Sequence, residues 1–155
     1  MFVSAAALAS AVALINGTWH NQLGSTVVFD VDQNGTLSGQ YNSAVGNAED
    51  FYVLTGRYET DPVDNQGLTL GWTVNYHNDL RDAHSTATWS GQYFGGDEEV
   101  IQTHWLLTRS TALEDLWEST HVGTDVFSRG APTQEKIQSA FTVGSPTPDQ
   151  ILAKN

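Results

Sequence analysis

No cysteine occurs among the 155 residues, which excludes disulfides, thiolate nucleophiles and Cys-ligated metals. The fold therefore rests on packing and hydrogen bonds. Basic residues are scarce as well: six Lys and Arg stand against eighteen Asp and Glu, for a formal net charge of −12. Such a surface repels a phosphate backbone, so no nucleic-acid partner is expected. The five histidines are scattered, with none at close metal-ligand spacing, so no metal is expected either. A membrane-spanning run is also missing. The one long, mostly apolar stretch, Phe2 to Ile15, falls short of the ~20 residues that cross a bilayer. Two readings stand for residues 1–15. They are the hydrophobic part of a secretory signal peptide, with Ala7-Leu8-Ala9 as a small-x-small cleavage site but no positive n-region, or an apolar extension, either loose or packed on the fold. Asn16-Gly17-Thr18 and Asn34-Gly35-Thr36 match the glycosylation sequon, and the second reads better as a turn.

What the chain does contain is one repeating pattern. From Gly17 to Arg129, runs of β-formers and aromatics with alternating character are separated by breaks rich in Gly, Asn, Asp or Ser. Eight runs lie near residues 17–23, 26–32, 36–42, 51–59, 68–78, 83–94, 99–109 and 119–128. The Asn34-Gly35 pair between the second and third accepts positive φ and signals a hairpin. Parallel strands would need crossovers of about a dozen residues or more, usually helical, and no break here carries such a period. The reading is an all-β, eight-stranded antiparallel domain over residues 16–129, either a sandwich or an up-and-down barrel closed on itself. The segment 130–155 holds three of the four prolines and reads as a C-terminal tail, in which Pro132 can open a short helix with Ile137 and Phe141 on one face.

Alternation sorts each run into two faces. The first run puts Trp19, Asn21 and Leu23 on one side, with Ser25 continuing it across the turn; the third puts Tyr41 with Ser43. Ser85, Ala87 and Trp89 share a face of the sixth, and Trp105 and Leu107 share one of the seventh. Polar groups thus recur among aromatics. A purely structural core avoids so many hydroxyls and amides, since an unpaired buried polar group costs about 1–3 kcal/mol. Aromatic walls with a few placed donors and acceptors describe a small-molecule site.

Gly17-Thr18-Trp19-His20-Asn21-Gln22-Leu23-Gly24-Ser25 resembles the opening strand and turn of the avidin and streptavidin family. Five more motifs follow in order over about 110 residues: Tyr41 to Glu49, Val53 to Tyr58, Leu70 to Val74, Ala83 to Tyr93, and Trp105 to Asp125. The resemblance implies an avidin-like barrel that binds biotin without catalysis or cofactor, is secreted, and assembles as a homotetramer. By it, Asn21, Ser25 and Tyr41 donate to the ureido oxygen, while Asp125 and Ser43 accept from the ureido nitrogens. Asn47 and Ser85 contact the valerate carboxylate, and Val45, Gly46 and Asn47 belong to a loop over the ligand. Leu23, Trp89, Trp105 and Leu107 fall among the lining positions, and Trp117 matches a tryptophan that reaches into a neighbouring subunit's site. Two positions depart from the streptavidin pattern. Tyr76 replaces a wall tryptophan, and Ala87 replaces a threonine that contacts the thioether sulfur.

Other functions fit the residues less well. A hydrolase built on Ser85, His84 and Asp82 fails because adjacent strand residues face opposite ways, which separates nucleophile from base. A glycosidase needs two carboxylates, and the inward set has Asp125 alone. A lipocalin-like carrier of another hydrophobic ligand would have a mainly apolar interior, without Asn21, Ser25, Tyr41, Ser43 and Asp125. The Arg57-Tyr58-Glu59 triplet resembles an adhesion motif but reads more simply as strand.

Overall fold

The computed structural model describes residues 11–44 and 49–142, the last two by their backbone only. Eight antiparallel strands follow one another around a closed barrel: β1 (Gly17–Asn21), β2 (Thr26–Val31), β3 (Thr36–Asn42), β4 (Phe51–Tyr58), β5 (Leu68–His77), β6 (Asp82–Phe94), β7 (Val100–Arg109) and β8 (Thr120–Ser128). Sequential hairpins supply seven of the pairings. The eighth, His20 with Ser128 and Asn21 with Phe127, joins β1 to β8 and removes both sheet edges. The sandwich alternative therefore falls.

Period-two alternation fills the interior. Trp19, Val27, Phe29, Tyr41, Leu54, Trp72, Val74, Trp89, Ile101, Trp105, Leu107 and Phe127 are all buried, and most of their strand neighbours face outward. Trp72 stacks on Trp89 with centroids 5.5 Å apart and meets Phe29 edge-on at 5.0 Å, so large rings pack directly against one another inside the narrow tube. At Gly39 only glycine fits, because a Cβ would stand 1.9 Å from the carbonyl oxygen of Val28.

Some details differ from the sequence reading. The Asn34-Gly35 turn takes positive φ at Gly35 alone (φ 81°), and its bonds, Gly35 N–H to Asp32 O and Asp32 N–H to Thr36 O, make a longer hairpin loop than a two-residue turn. The first strand stops at Asn21 instead of Leu23, because the Asn21 side chain captures the next backbone amides. The C-terminal helix (Gln134–Thr142) starts after Thr133, not at Pro132; the Thr133 hydroxyl accepts from Lys136 N–H at 3.3 Å, as an N-cap does. Ile137 of that helix comes to 3.4 Å from where a Cβ on Gly24 would lie. The Phe141 side chain falls outside the described residues.

Residues 11–15 are helical, and Ala11 and Ile15 sit in the hydrophobic core. Trp19 Nε1–H donates to Ile15 O at 2.8 Å. Arg129 lies 3.7 Å over the Trp19 ring and donates to Leu14 O at 2.6 Å and Asn16 O at 3.0 Å. A cation held against a tryptophan face while its remaining donors bind carbonyls fastens this segment to the barrel. Residues 1–10, with Ala7-Leu8-Ala9, lie outside the described residues.

Candidate functional site

Asn21 closes β1, and its Oδ1 accepts from Leu23 N–H at 3.0 Å and Ser25 N–H at 2.9 Å. These two bonds orient the carboxamide and fold the turn that brings Leu23 and Ser25 inside. The Asn21 amide nitrogen is left buried, with no hydrogen-bond partner among the described residues. Ser25 Oγ accepts from Ala44 N–H at 3.1 Å, which ties the start of β2 to the end of β3. Tyr41 projects inward from β3 with its ring 5.2 Å from Trp89 and 6.3 Å from Tyr76; Ser43 is buried just past the same strand.

Asp125 is fully buried on β8. Its two carboxylate oxygens accept from Gln22 Nε2–H and Trp89 Nε1–H, each at 2.9 Å, and its main-chain oxygen accepts from Thr103 Oγ1–H at 2.9 Å. These bonds fix the orientation of the carboxylate. Ser85, Ala87 and Trp89 lie on the inner face of β6, opposite Arg109, Leu107 and Trp105 of β7. Ser85 Oγ and Trp105 Nε1 are buried and have no partner among the described residues. Leu107 and Ala87 are completely covered.

The structure thus gathers Asn21, Leu23, Ser25, Tyr41, Ser43, Tyr76, Ser85, Ala87, Trp89, Trp105, Leu107 and Asp125 into one buried interior. It does not gather Trp117, which is 79% exposed on a 3₁₀ turn (Leu113–Glu118) between β7 and β8, beside the exposed Leu113 and Leu116. Val45, Gly46 and Asn47 lie outside the described residues. The chain just after them is held by Asn78, whose Nδ2–H donates to Glu49 O at 2.6 Å and Phe51 O at 3.2 Å.

Sequence reasoning missed Gln22 because alternation from Asn21 points it outward. The strand has ended there, however, and the turn sends its amide to Asp125 while its Oε1 accepts from Val126 N–H at 3.1 Å. The hydrolase constellation does not form. His84 is exposed and sits 3.3 Å from Asp82 Oδ2, the oxygen that His77 also approaches at 3.1 Å, while Ser85 is buried on the opposite face. The His84 backbone N–H, helped by the His77 side chain, holds the Asp82 carboxyl below its ordinary value. Among the described residues, no group of His, Asp and Glu could hold a metal ion.

A buried barrel interior with tryptophan and tyrosine walls and a few fixed polar groups defines a small-molecule binding protein. The Avidin family profile matches residues 9–130. Gallus gallus avidin is 31% identical over 121 residues, 74% of this chain and 77% of that protein. Avidin-related protein 1 of Gallus gallus is 29% identical over 131 residues, 78% of this chain and 81% of its own length. The chain belongs to the Avidin family. It is accordingly a binding protein and not an enzyme, and it uses no cofactor.

Proposed function

We propose that this chain binds biotin in the barrel interior and withholds it from its surroundings. The observation that carries the reading is the Asn21 and Asp125 pair. One buried amide donor waits without a partner, and one buried carboxylate is braced by Gln22 and Trp89. A urea presents one acceptor flanked by two donors, which is the complement of that pair once Ser25, Tyr41 and Ser43 are added. A lipocalin-like ligand leaves this polar set unexplained. Preorganisation keeps the binding cost low, because the donors and acceptors are already held by strand and turn bonds.

Further parts of the reading concern assembly and destination. Trp117, Leu113 and Leu116 are exposed on one 3₁₀ turn, and Leu106 and Val122, paired across β7 and β8, are exposed as well, as apolar surface at an interface between copies would be. On this reading the assembly is a homotetramer in which Trp117 completes a neighbouring site. The protein is secreted, and a leader cut after Ala9 leaves Ala11 and Ile15 in place in the core. Calorimetric titration with biotin tests the reading: one site per chain with saturating heat is expected, and no heat with folded protein overturns it.

A further inference from the structure

Alternation along β7 does not stop at Leu107. Trp105 and Leu107 face the interior, so Arg109, two residues on, continues the same face at the end of the strand. Its position is fixed on both sides: Arg109 is in register with Ser85 of β6, and its backbone N–H donates to Ser119 O at 2.8 Å. Directly opposed residues have Cβ atoms about 5 Å apart, so the guanidinium stem rises beside the Ser85 hydroxyl.

Three polar atoms at this end of the barrel are buried and lack a hydrogen-bond partner among the described residues: Ser85 Oγ, Arg109 Nε and His121 Nε2. They come from three consecutive strands. His121 stands opposite Leu107 on β8, one diagonal step from Arg109. No ion pair to Arg109 is present among the described residues. That is unexpected in a chain where eighteen carboxylates compete for six basic side chains. A partly desolvated guanidinium without a counter-charge is costly, and its planar fork matches a carboxylate better than any neutral group.

We infer that Arg109, with Ser85 and His121 beside it, forms an anion-binding mouth that selects ligands ending in a free carboxylate over the same ligands with a neutral tail. The inference rests on the biotin reading and deepens it: the ring system is held by the interior, and the acid end of the side chain meets Arg109. Free biotin is then preferred over biotin already joined through an amide, as in conjugates. The resemblance to the family supplies Ser85 as a carboxylate contact but no cation at this place.

The test compares biotin with biotinamide, in which the carboxylate is replaced by a neutral carboxamide, by competition and by dissociation in a chase. A charge-assisted bond at a partly buried site predicts a preference for biotin of about tenfold in the wild type, shrinking as salt is added. Arg109→Met should bring the ratio to within about twofold, and Arg109→Lys should keep part of it. The ratio is internal to each variant, so a general loss of stability moves both ligands together and leaves it readable. Binding of both ligands with a ratio that Arg109→Met does not move overturns the inference and leaves the pocket reading intact. Binding of neither to the wild type overturns both.

Discussion

Replacing Asp125 by alanine removes the acceptor shared by the buried Trp89 indole and the part-buried Gln22 amide. Among the described residues Trp89 Nε1–H has no other acceptor, and Gln22 Nε2–H keeps only Thr124 O at 3.4 Å. The orphaned Trp89 donor costs about 1–3 kcal/mol and the part-buried Gln22 adds little, so the ligand-free barrel should lose about 1–3 kcal/mol, the lower end applying if water enters the space left behind. Biotin binding loses a charge-assisted bond in addition, about 1.5–3 kcal/mol, which is roughly ten- to a hundredfold in dissociation constant. Asp125→Asn separates the two effects. It keeps the shape and one acceptor oxygen, so stability should fall less, while the missing charge still weakens the ligand. Urea unfolding of the ligand-free proteins and biotin dissociation in a chase measure the two losses independently. Stability loss with biotin affinity within about twofold of wild type in both variants would make Asp125 a structural anchor only and refute its place in the site.

Trp117→Lys should speed biotin release and weaken association between chains, as read by chase kinetics and sedimentation; a monomeric wild type with the same release rate as the variant would refute the shared-site role. Ala87→Thr should slow release about three- to tenfold by restoring one neutral hydrogen bond to the ligand, and release as fast as wild type would refute that contact. The Tyr93 phenol, buried and donating to Glu99 at 2.7 Å, is pushed up to about 12, first by burial and then by that bond. Its neutral form is the one the fold favours, so its contribution to stability is complete below pH 10.0 and is lost as pH rises towards about 12. Titration of phenolate absorbance should show Glu99→Gln lowering this late transition while burial keeps it above pH 10.0; no late transition in the wild type would refute the assignment.

Much of the barrel was legible because alternation is a strong signal when one face meets a core and the other meets water. The eight runs match the strands to within two residues, the largest difference falling where the Asn21 side chain ends β1. The same period placed Ser85 inside and His84 outside, which removed a hydrolase before any distance was known. Closure was not legible from pattern alone, since an inward face reads the same in a sandwich and a barrel; the β1 to β8 pairing decides it. The sites missed lie where the period ends. Gln22 belongs to a turn and obeys no alternation. Arg109 lay one step beyond Leu107 on the inner face, but arginine is rarely expected inward, so the reading stopped short of it. The burial of Ala11 and Ile15 depends on Arg129, more than a hundred residues away in sequence, and no local pattern announces such a contact.

A crystal structure of the biotin complex tests the central claim most directly. The account predicts the ureido oxygen within hydrogen-bond distance of Asn21 Nδ2, Ser25 Oγ and the Tyr41 hydroxyl, with a ureido N–H on Asp125 and the rings between Trp89 and Trp105. Biotin bound anywhere outside the barrel interior, or bound inside with Asn21 Nδ2 and Asp125 turned away from the ureido group, would contradict it.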